Sequence, residues 1–437
     1  MCNPINDYKC WLLLLSLWAI SASAELRIEI SQGVEKAIPV AVVPFGWEGS
    51  GAAPFDIAEV VAADLARSGR YAPLPREDMV SRPTEGRQVD FGDWRLLGTD
   101  IVVIGRLIAE GGDAFMIEFQ VFDVLRGEQL LGYRQPARGR SLRSAAHRVA
   151  DLIYEELTGI KGVFGTRIAY ITVTGPPEKR QHQRIVADAD GFNDRVLGSS
   201  PAPLMSPAWS PDGRKLAYVS FEGNQSAVYV QSLRSGARER VSDRPGVNGA
   251  PAWSPDGRKL ALTLSKGGPN LDIYSLDIQS QVLTRLTRRA SIDTDAAWSS
   301  DGREIFFTSD RGGAPQVYRV AAAGGAEPER VTFEGRYNAR PQPSPTDSQL
   351  AIVHNDRGNY RIAAVDLERR GALLVLTSGE LDESPSFAPN GETVMYATRQ
   401  RGRGILATVS ADGRIRNEIA AREGDIREPA WGPFPAN

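Results

Sequence analysis

Short runs of alternating apolar and polar residues, separated by turns rich in glycine and proline, make up most of the chain after residue 160. Residues Lys215–Ser220 form one such run, and it follows the turn sequence Ser210–Gly213 (Ser-Pro-Asp-Gly). Alternation with a period of two is typical of a strand with one buried face, and Pro, Asp and Gly favour tight turns. The pattern therefore predicts many short antiparallel strands joined by hairpins.

These strands belong to a repeat. The segment Ala208–Ala217 recurs unchanged as Ala252–Ala261, and weaker copies follow it. The aromatic position of the repeat falls at 209, 253, 298, 343 (a proline), 387 and 431, in steps of 44 or 45 residues. A period near 44 residues that carries four strands is typical of a propeller blade.

The first and last copies of the repeat are both incomplete. Six second strands can be counted, beginning at Ile168, Leu216, Leu260, Ile305, Leu350 and Val394. The first has no tryptophan-containing strand before it, and the last such strand, around Trp431, has no second strand after it. We therefore expect a six-bladed β-propeller over residues 163–437 in which the C-terminal strand completes blade one, which removes exposed sheet edges.

Residues 25–162 lack the repeat and mix helical and strand periodicity, which predicts a separate N-terminal α+β domain with a mixed sheet and helices. Two helices are predicted, over Pro54–Ser68 and Ser141–Leu157, and each is followed by a glycine. The strands are predicted at Leu26–Ile30, Ile38–Val43, Ile101–Leu107, Ala114–Val124 and Gln129–Arg134.

The first 24 residues have the features of a secretory signal peptide. Lys9 precedes the apolar run Trp11–Ile20, and the small-residue site Ala22-Ser23-Ala24 follows. Ten apolar residues are too few to span a bilayer, so we expect cleavage after Ala24 and an exported, periplasmic protein that does not span the membrane. Cys2 and Cys10 both lie in this segment, so the mature chain would contain no thiol.

Charge and composition exclude two further classes of protein. The chain has 42% hydrophobic residues, enough to bury a core, which excludes general disorder. Its 51 basic residues are balanced by 54 acidic ones, so no nucleic-acid partner is expected. We expect no cofactor.

Candidate catalytic and metal-binding groups are few. The three histidines, His147, His182 and His354, lack metal-ligand spacing, and a surface position is expected for each. The run Asp188–Asp194 only faintly resembles a calcium loop, because its glycine is misplaced, so a hairpin of blade one is favoured. Accordingly, no catalytic residue and no metal site is predicted.

The mature chain as a whole resembles the TolB family, the periplasmic components of the Tol-Pal envelope system. The resemblance is carried by Ile38–Phe45, Gly51–Pro54, Val61–Leu65, Leu157–Gly162 and Thr166–Tyr170. It implies a non-enzymatic adaptor that links the inner-membrane protein TolA to the peptidoglycan-associated lipoprotein Pal. Such an adaptor would maintain outer-membrane integrity and help constriction during cell division.

The same resemblance implies that Pal, and colicin segments that mimic it, dock at the mouth of the propeller channel; other outer-membrane-associated proteins are further candidate partners. The loops that lead into the inner strands are expected to line this face, although each could be an ordinary blade connection. Val247 stands where close relatives often have His. The candidate Pal-binding residues are Met205, Ser206, Asn248, Gly249, Ala250, Thr294, Asp295, Asn338, Ala339, Leu381, Asp382, Glu383, Arg427 and Glu428.

The mature N-terminus resembles the segment that TolA recognises in this family. Its candidate residues are Glu25, Leu26, Arg27, Ile28, Glu29 and Ile30. Apolar alternation at Leu26, Ile28 and Ile30 suits an added strand, either on the protein itself or on a partner. A permanent edge strand remains the alternative.

A propeller-containing hydrolase or peptidase-like enzyme is the second interpretation. Blades with the Trp-Ser-Pro-Asp-Gly repeat also resemble the propellers of prolyl-oligopeptidase-like enzymes. Here the additional domain has no Gly-x-Ser-x-Gly nucleophile elbow, and His147 is its one candidate base. The sequence therefore favours a binding protein.

Overall fold

The computed structural model describes residues 28–30, 37–346, 348–369 and 371–435. Within these residues an N-terminal domain with a mixed sheet and helices precedes six sheets arranged as propeller blades, which confirms the predicted fold class. The predicted signal peptide, together with Glu25, Leu26 and Arg27, lies outside the described residues.

The first described strand, β1 (Ile28–Ile30), joins the propeller and not the N-terminal sheet. The strands of the N-terminal domain are β2 (Ile38–Val42), β3 (Gly46–Glu48), β4 (Tyr71–Pro73), β5 (Ile101–Gly111), β6 (Ala114–Asp123) and β7 (Glu128–Arg138). Its helices are α1 (Ile57–Arg67), α2 (Phe91–Leu96) and α3 (Leu142–Thr158). The sheet has the order β4-β2-β5-β6-β7, and β3 pairs with the far end of β5. Strand β2 is parallel to both neighbours, whereas β5, β6 and β7 are antiparallel.

Helices α1 and α3 cover one face of this sheet, where Leu65 and Ile153 are buried against Phe119. Helix α1 begins three residues later than predicted, because Asp56 is its N-cap and accepts a hydrogen bond from the Glu59 amide at 3.0 Å. The short helix α2 helps cover the opposite face with the fully buried Trp94. Sequence analysis missed α2 because six residues make less than two turns of periodicity.

The propeller blades follow in chain order, each with four main strands. Blade one has β8 (Arg167–Thr174), β9 (Gln181–Asp188) and β10 (Arg195–Ser200); blade two has β11 (Leu204–Trp209), β12 (Lys215–Ser220), β13 (Ala227–Ser232) and β14 (Arg238–Ser242). Blade three has β15 (Asn248–Trp253), β16 (Lys259–Leu264), β17 (Asp272–Asp277) and β18 (Leu283–Arg285); blade four has β19 (Asp293–Trp298), β20 (Glu304–Ser309), β21 (Gln316–Ala321) and β22 (Glu329–Arg330). Blade five has β23 (Asn338–Pro343), β24 (Gln349–Asp356), β25 (Asn359–Asp366) and β26 (Ala372–Val375); blade six has β27 (Glu383–Phe387), β28 (Thr393–Gln400), β29 (Arg403–Ser410) and β30 (Ile415–Ile419).

The last strand, β31 (Asp425–Trp431), closes the ring. It pairs antiparallel with β8 and thereby becomes the inner strand of blade one. The register places Arg427 opposite Ile171 and Trp431 opposite Ile168. Because β31 follows blade six directly, the first and last blades are joined by continuous chain.

Three of the repeated tryptophans, Trp209, Trp253 and Trp298, link neighbouring blades through their indole N–H groups. Trp253 donates to the Ala208 carbonyl at 3.2 Å, and Trp298 donates to the Ala252 carbonyl at 3.1 Å. Pro343 and Phe387, which occupy this position in blades five and six, have no side-chain donor. The indole link is thus absent from these two described strands, β23 and β27.

Candidate functional site

Each of the six inner strands contains a bulge at the same place. Beside the shift in register, one residue of each strand has a positive φ, between 44° and 54°. A bulge of this kind bends a strand and redirects a side chain. The six positive-φ residues, one from each blade, all line a single central cavity: Ser206, Ala250, Asp295, Arg340, Ser384 and Glu428.

The cavity follows the propeller axis and has a volume of about 300 Å³. Its wall below the bulges consists mainly of proline and alanine, and the tryptophans of the repeat lie at the far end. Small wall residues leave the axis open, so charged side chains at the bulges dominate the chemistry of the mouth.

Arg340 is the central charged group of the mouth. Its guanidinium donates a hydrogen bond to the Ser384 hydroxyl and lies 3.7 Å from Asp295 Oδ1 and 3.9 Å from Glu428 Oε1. Burial by itself would lower the pKa of Arg340, but the carboxylates of Asp295, Glu428 and Glu383 hold this pKa above its usual value. Three carboxylates around one guanidinium leave a net charge of −2, so the mouth is acidic.

The predicted Pal-binding residues reach this mouth only in part. Ser206, Ala250, Asp295 and Glu428 line the cavity, whereas sequence analysis did not identify Arg340 and Ser384. The repeat carries the signal that could have found them, because every cavity-lining bulge residue lies three positions before the aromatic position.

Most of the predicted residues lie in strands, not in loops as expected. Only Leu381 and Asp382 precede their strand; the others are among the first residues of β11, β15, β19, β23, β27 or are in β31. The predicted loop conformation was wrong because each inner strand pairs with its neighbour on both sides of the bulge. The residues expected in a loop are therefore part of the strand.

Three of the predicted residues are fully buried: Asn248, Asn338 and Asp382. The Asn248 side-chain oxygen accepts hydrogen bonds from the Ser242 hydroxyl at 2.6 Å and the Arg244 amide at 3.0 Å. Asp382 accepts hydrogen bonds from two threonine hydroxyls and the Gly379 amide. Ala339 is also buried, at 3% exposure. These four residues, which were expected to line the binding face, are therefore buried instead, and the three polar ones form hydrogen bonds at the connections between blades.

An apolar rim lies on four of the six blades, three to six, at the end of the propeller that carries the acidic mouth. We define it as Val247, Ile292, Tyr337 and Leu381. In each case the next residue along the chain is buried, at or just before the start of the inner strand. Val247 is 44% exposed and Ile292 is 52% exposed. Exposed apolar side chains that are grouped beside polar ones are typical of protein interfaces. Val247 and Leu381 were named from the sequence but Ile292 and Tyr337 were not, although all four lie six positions before the aromatic position of the repeat.

The described part of the N-terminal segment forms a second candidate surface. Strand β1 pairs antiparallel with β30 and adds a fifth strand to blade six, with Ile28 opposite Asn417 and Ile30 opposite Ile415. The Asn417 side chain also donates to the Arg67 carbonyl of α1 at 2.9 Å. Ile28, Glu29 and Ile30 therefore lie beside the contact between the two domains.

The structure corrects the expectation for two of the histidines. His147 is 1% exposed and His354 is 8% exposed, so neither lies on the surface. They contact Asp64 and Asn338 respectively, at 2.7 Å and 2.8 Å, and not a hydroxyl or thiol nucleophile. The run Asp188–Asp194 consists of the last residue of β9 and the turn that leads to β10, which agrees with the predicted hairpin of blade one.

One group of acidic and histidine side chains in the described ranges is close enough to suggest a metal site: Asp64, His147 and Asp190. Arg67 and Arg143 already form ion pairs with its two carboxylates. Because guanidinium groups occupy the positions that a cation would take, we interpret this group as an ion-pair cluster.

No helix in the described part of the chain combines the length and the apolar character needed to cross a bilayer.

Comparison with known proteins gives matches in both domains. A family model described as TolB amino-terminal domain matches residues 26–130, and one described as TolB beta propeller domain matches residues 154–435. The chain is 49% identical over 424 residues to the Tol-Pal system protein TolB of Xanthomonas campestris pv. campestris, covering 97% of this chain and 96% of the relative. The corresponding protein of Xanthomonas oryzae pv. oryzae is 48% identical over the same length.

A solved structure shows the same arrangement. The crystal structure of TolB from Acinetobacter baumannii superposes with a TM-score of 0.85 at 39% sequence identity. The superposition covers 94% of this chain and all of that chain. The similarity thus includes the N-terminal domain as well as the propeller.

Proposed function

Since the chain belongs to the TolB family of Tol-Pal system proteins, we propose that it is a non-catalytic periplasmic adaptor that binds Pal at the channel mouth and TolA through its N-terminal segment. In this role it would maintain outer-membrane integrity and assist constriction at cell division. The acidic mouth with its apolar rim is the observation that supports the Pal site most directly.

The chemistry of the mouth suits a protein partner. Apolar side chains at the rim offer surface whose removal from water favours association. The charged bulge residues at the centre add selectivity, because a partner must complement a net negative charge there. The rim and the centre together form the arrangement expected of a recognition surface.

The rim provides a direct test of the Pal site. The double variant Val247→Asp with Ile292→Asp removes two exposed apolar groups and adds negative charge to an acidic region. We expect the affinity for the soluble domain of Pal, measured by calorimetry, to fall at least about tenfold, as is common for interface anchors.

Val282→Asp is the matched control. Val282 is 59% exposed, and Val247 and Ile292 of the rim are exposed as well. It lies in the turn between β17 and β18, at the opposite end of blade three from the rim. This variant should bind Pal like the parent protein. If the rim variant keeps its circular dichroism spectrum and also keeps its affinity, the proposed Pal face is wrong.

The N-terminal segment is the proposed TolA site. Strand β1 lies on the outside of a complete four-stranded blade, so its removal takes no strand from the propeller. An added strand held mainly by one neighbour can leave at low cost and pair with another protein.

Deletion of residues 25–36 should therefore abolish binding to TolA in a pull-down with purified TolA. The melting temperature of the propeller should change little, which would show that the loss of binding is not caused by unfolding. Retained TolA binding by the deletion variant would rule out this segment as the site.

A further inference from the structure

A cluster of charged side chains lies between the two domains, at the end of the propeller opposite the channel mouth. It contains residues of α1, α3 and the turn after β9. Asp188, the last residue of β9, lies opposite Arg167 in the strand register, at the same end of blade one as Trp431. We call it the interdomain cluster and define it as Asp64, Arg67, Arg143, His147, Asp188 and Asp190.

His147 is the central residue of this cluster. Its Nδ1 atom lies 2.7 Å from Asp64 Oδ2, within the N-terminal domain. Its Nε2 atom lies 3.5 Å from Asp190 Oδ2, which belongs to the propeller. This Nε2 atom is buried and has no hydrogen-bond partner among the described residues. The imidazole thus stands between carboxylates of the two domains.

The charges of the cluster balance only when His147 is protonated. Asp64, Asp188 and Asp190 contribute three negative charges, and Arg67 and Arg143 contribute two positive ones. With a neutral imidazole one negative charge is uncompensated in a buried position, which is costly. In addition, a neutral imidazole whose Nδ1–H donates to Asp64 has no proton on Nε2. The Nε2 lone pair then faces the Asp190 carboxylate, which is unfavourable.

The titration behaviour of the surrounding groups agrees with this charge count. Burial lowers the pKa of His147, but its hydrogen bond to Asp64 and the charges of Asp64 and Asp190 raise this pKa above the usual 6.5 in spite of Arg67. Burial raises the pKa of Asp190, but Arg67, His147 and Arg143 together hold it below its usual value, so Asp190 remains charged.

Asp188 of the cluster and one further carboxylate, Asp151, also act on His147. Burial raises the pKa of Asp188, which the Asn193 amide, His147 and Arg143 only partly offset. Asp151, one turn after His147 on α3, has its pKa raised by burial to about 6, although it accepts hydrogen bonds from the Phe164 and Gly165 amides.

We propose that His147 is a protonation-dependent latch that couples pH to the docking of the N-terminal domain on the propeller. Protonated His147 donates a hydrogen bond from Nδ1 to Asp64 and holds its positive charge at Nε2 3.5 Å from Asp190 Oδ2, so it attracts a carboxylate of each domain. Loss of the proton removes the attraction to Asp190 and leaves the Nε2 lone pair facing that carboxylate. The latch lies beside the Arg67–Asn417 contact and hence beside the strand that carries β1.

The direction of the pH effect follows from linkage. A histidine whose pKa is raised on folding contributes its full stabilisation below about 6.5, and this contribution is lost as the pH rises through the folded-state pKa. Asp151 acts in the same direction between 3.8 and about 6. The interface should therefore be tightest under mildly acidic conditions and open more readily as the pH rises above neutrality.

Other contacts limit this opening to the cluster. The Asn390 side chain donates to the Lys161 carbonyl at 3.1 Å, and Arg70 pairs with Glu392 at 2.5 Å. Neither contact includes His147 or a carboxylate of the interdomain cluster. We therefore expect local opening of α1, α3 and the turn after β9, and not release of the whole domain.

Amide hydrogen exchange of the full mature chain between pH 6 and 8.5 tests the latch, after correction for the intrinsic pH dependence of exchange. In the parent protein, protection of α1, α3 and the turn after β9 should fall with pH, by up to about tenfold per pH unit for one released proton. In His147→Gln this dependence should disappear. The matched control His182→Gln, a half-buried histidine of blade one, should behave like the parent.

Two outcomes would overturn the proposal: a flat profile in the parent protein, or an unchanged profile in His147→Gln. If His147→Gln does not fold, NMR titration of the His147 ring protons in the parent decides. A pKa above 6.5 supports the latch, and a pKa at or below 6.5 refutes it.

Discussion

The channel mouth and the interdomain cluster lie at opposite ends of the propeller, and both combine carboxylates with arginine. At the mouth, Arg340 is 33% exposed and lies 3.7 Å or more from its acidic neighbours. In the interdomain cluster, His147 is 1% exposed and lies 2.7 Å from Asp64. Solvent-open charges with excess negative charge can exchange contacts with a partner, whereas buried and balanced charges are suited to holding two domains together.

The two regions also arise from the sequence in different ways. The charged bulge residues Asp295, Arg340 and Glu428 occupy equivalent positions of the repeat, so the propeller's symmetry brings them together, and Glu383 lies one position earlier in its blade. The cluster draws Asp64 and His147 from the domain without repeats and Asp190 from a single blade. Consequently, changes at the mouth should mainly affect binding, and changes in the cluster should mainly affect stability.

The largest effect is expected for Asp190→Ala. Removal of this carboxylate takes the nearest propeller partner from Arg143 and the propeller partner from protonated His147, and breaking a buried ion pair typically costs about 3–5 kcal/mol. Denaturant unfolding at pH 6 should reveal this loss as a lower free energy of unfolding. The exposed Asp243→Ala should change this free energy by less than about 0.5 kcal/mol. Equal effects of the two variants would show that the interdomain cluster contributes no more to stability than an exposed carboxylate.

A smaller effect is expected for coupling between the two proposed binding sites. If Pal at the mouth favours the docked β1, then saturating Pal must weaken TolA binding by the factor by which TolA weakens Pal binding. Typical couplings of about 1–3 kcal/mol correspond to roughly 5- to 150-fold. TolA affinity, measured by calorimetry with and without Pal, provides the test. Equal affinities would mean that the two ends of the molecule act independently.

The smallest effect on stability is expected for Asp295→Asn at the mouth. Its side chain is 30% exposed and lies 3.7 Å from Arg340, so the free energy of unfolding should change by less than about 1 kcal/mol. The net charge of the mouth changes from −2 to −1, and the salt dependence of the association rate with Pal should change with it. A large loss of stability, with unchanged binding kinetics, would show that the mouth is a structural site like the cluster.

Much of the propeller could be predicted because its signals are local and repeated. Ser210 and Asp212 bond to each other and to nearby amides within one turn, and Gly213 has a φ of 65°. Residues of one short segment thus determine each hairpin, and the missing first inner strand indicates how the ring closes. The sequence predicted residues 25–30 as a partner segment. It did not predict that β1 pairs with β30.

Sequence alone determined the number of blades, their turns and the division into two domains, because periodicity and turn chemistry act between residues close in the chain. The tertiary structure decided which side chains face the cavity. Bulges redirect Arg340 and Ser384 inward while Asn248 and Asp382 are buried, and a two-residue alternation does not predict this. It also decided the burial of His147, because Asp64 and Asp190 are distant in sequence and meet only when the domains pack together.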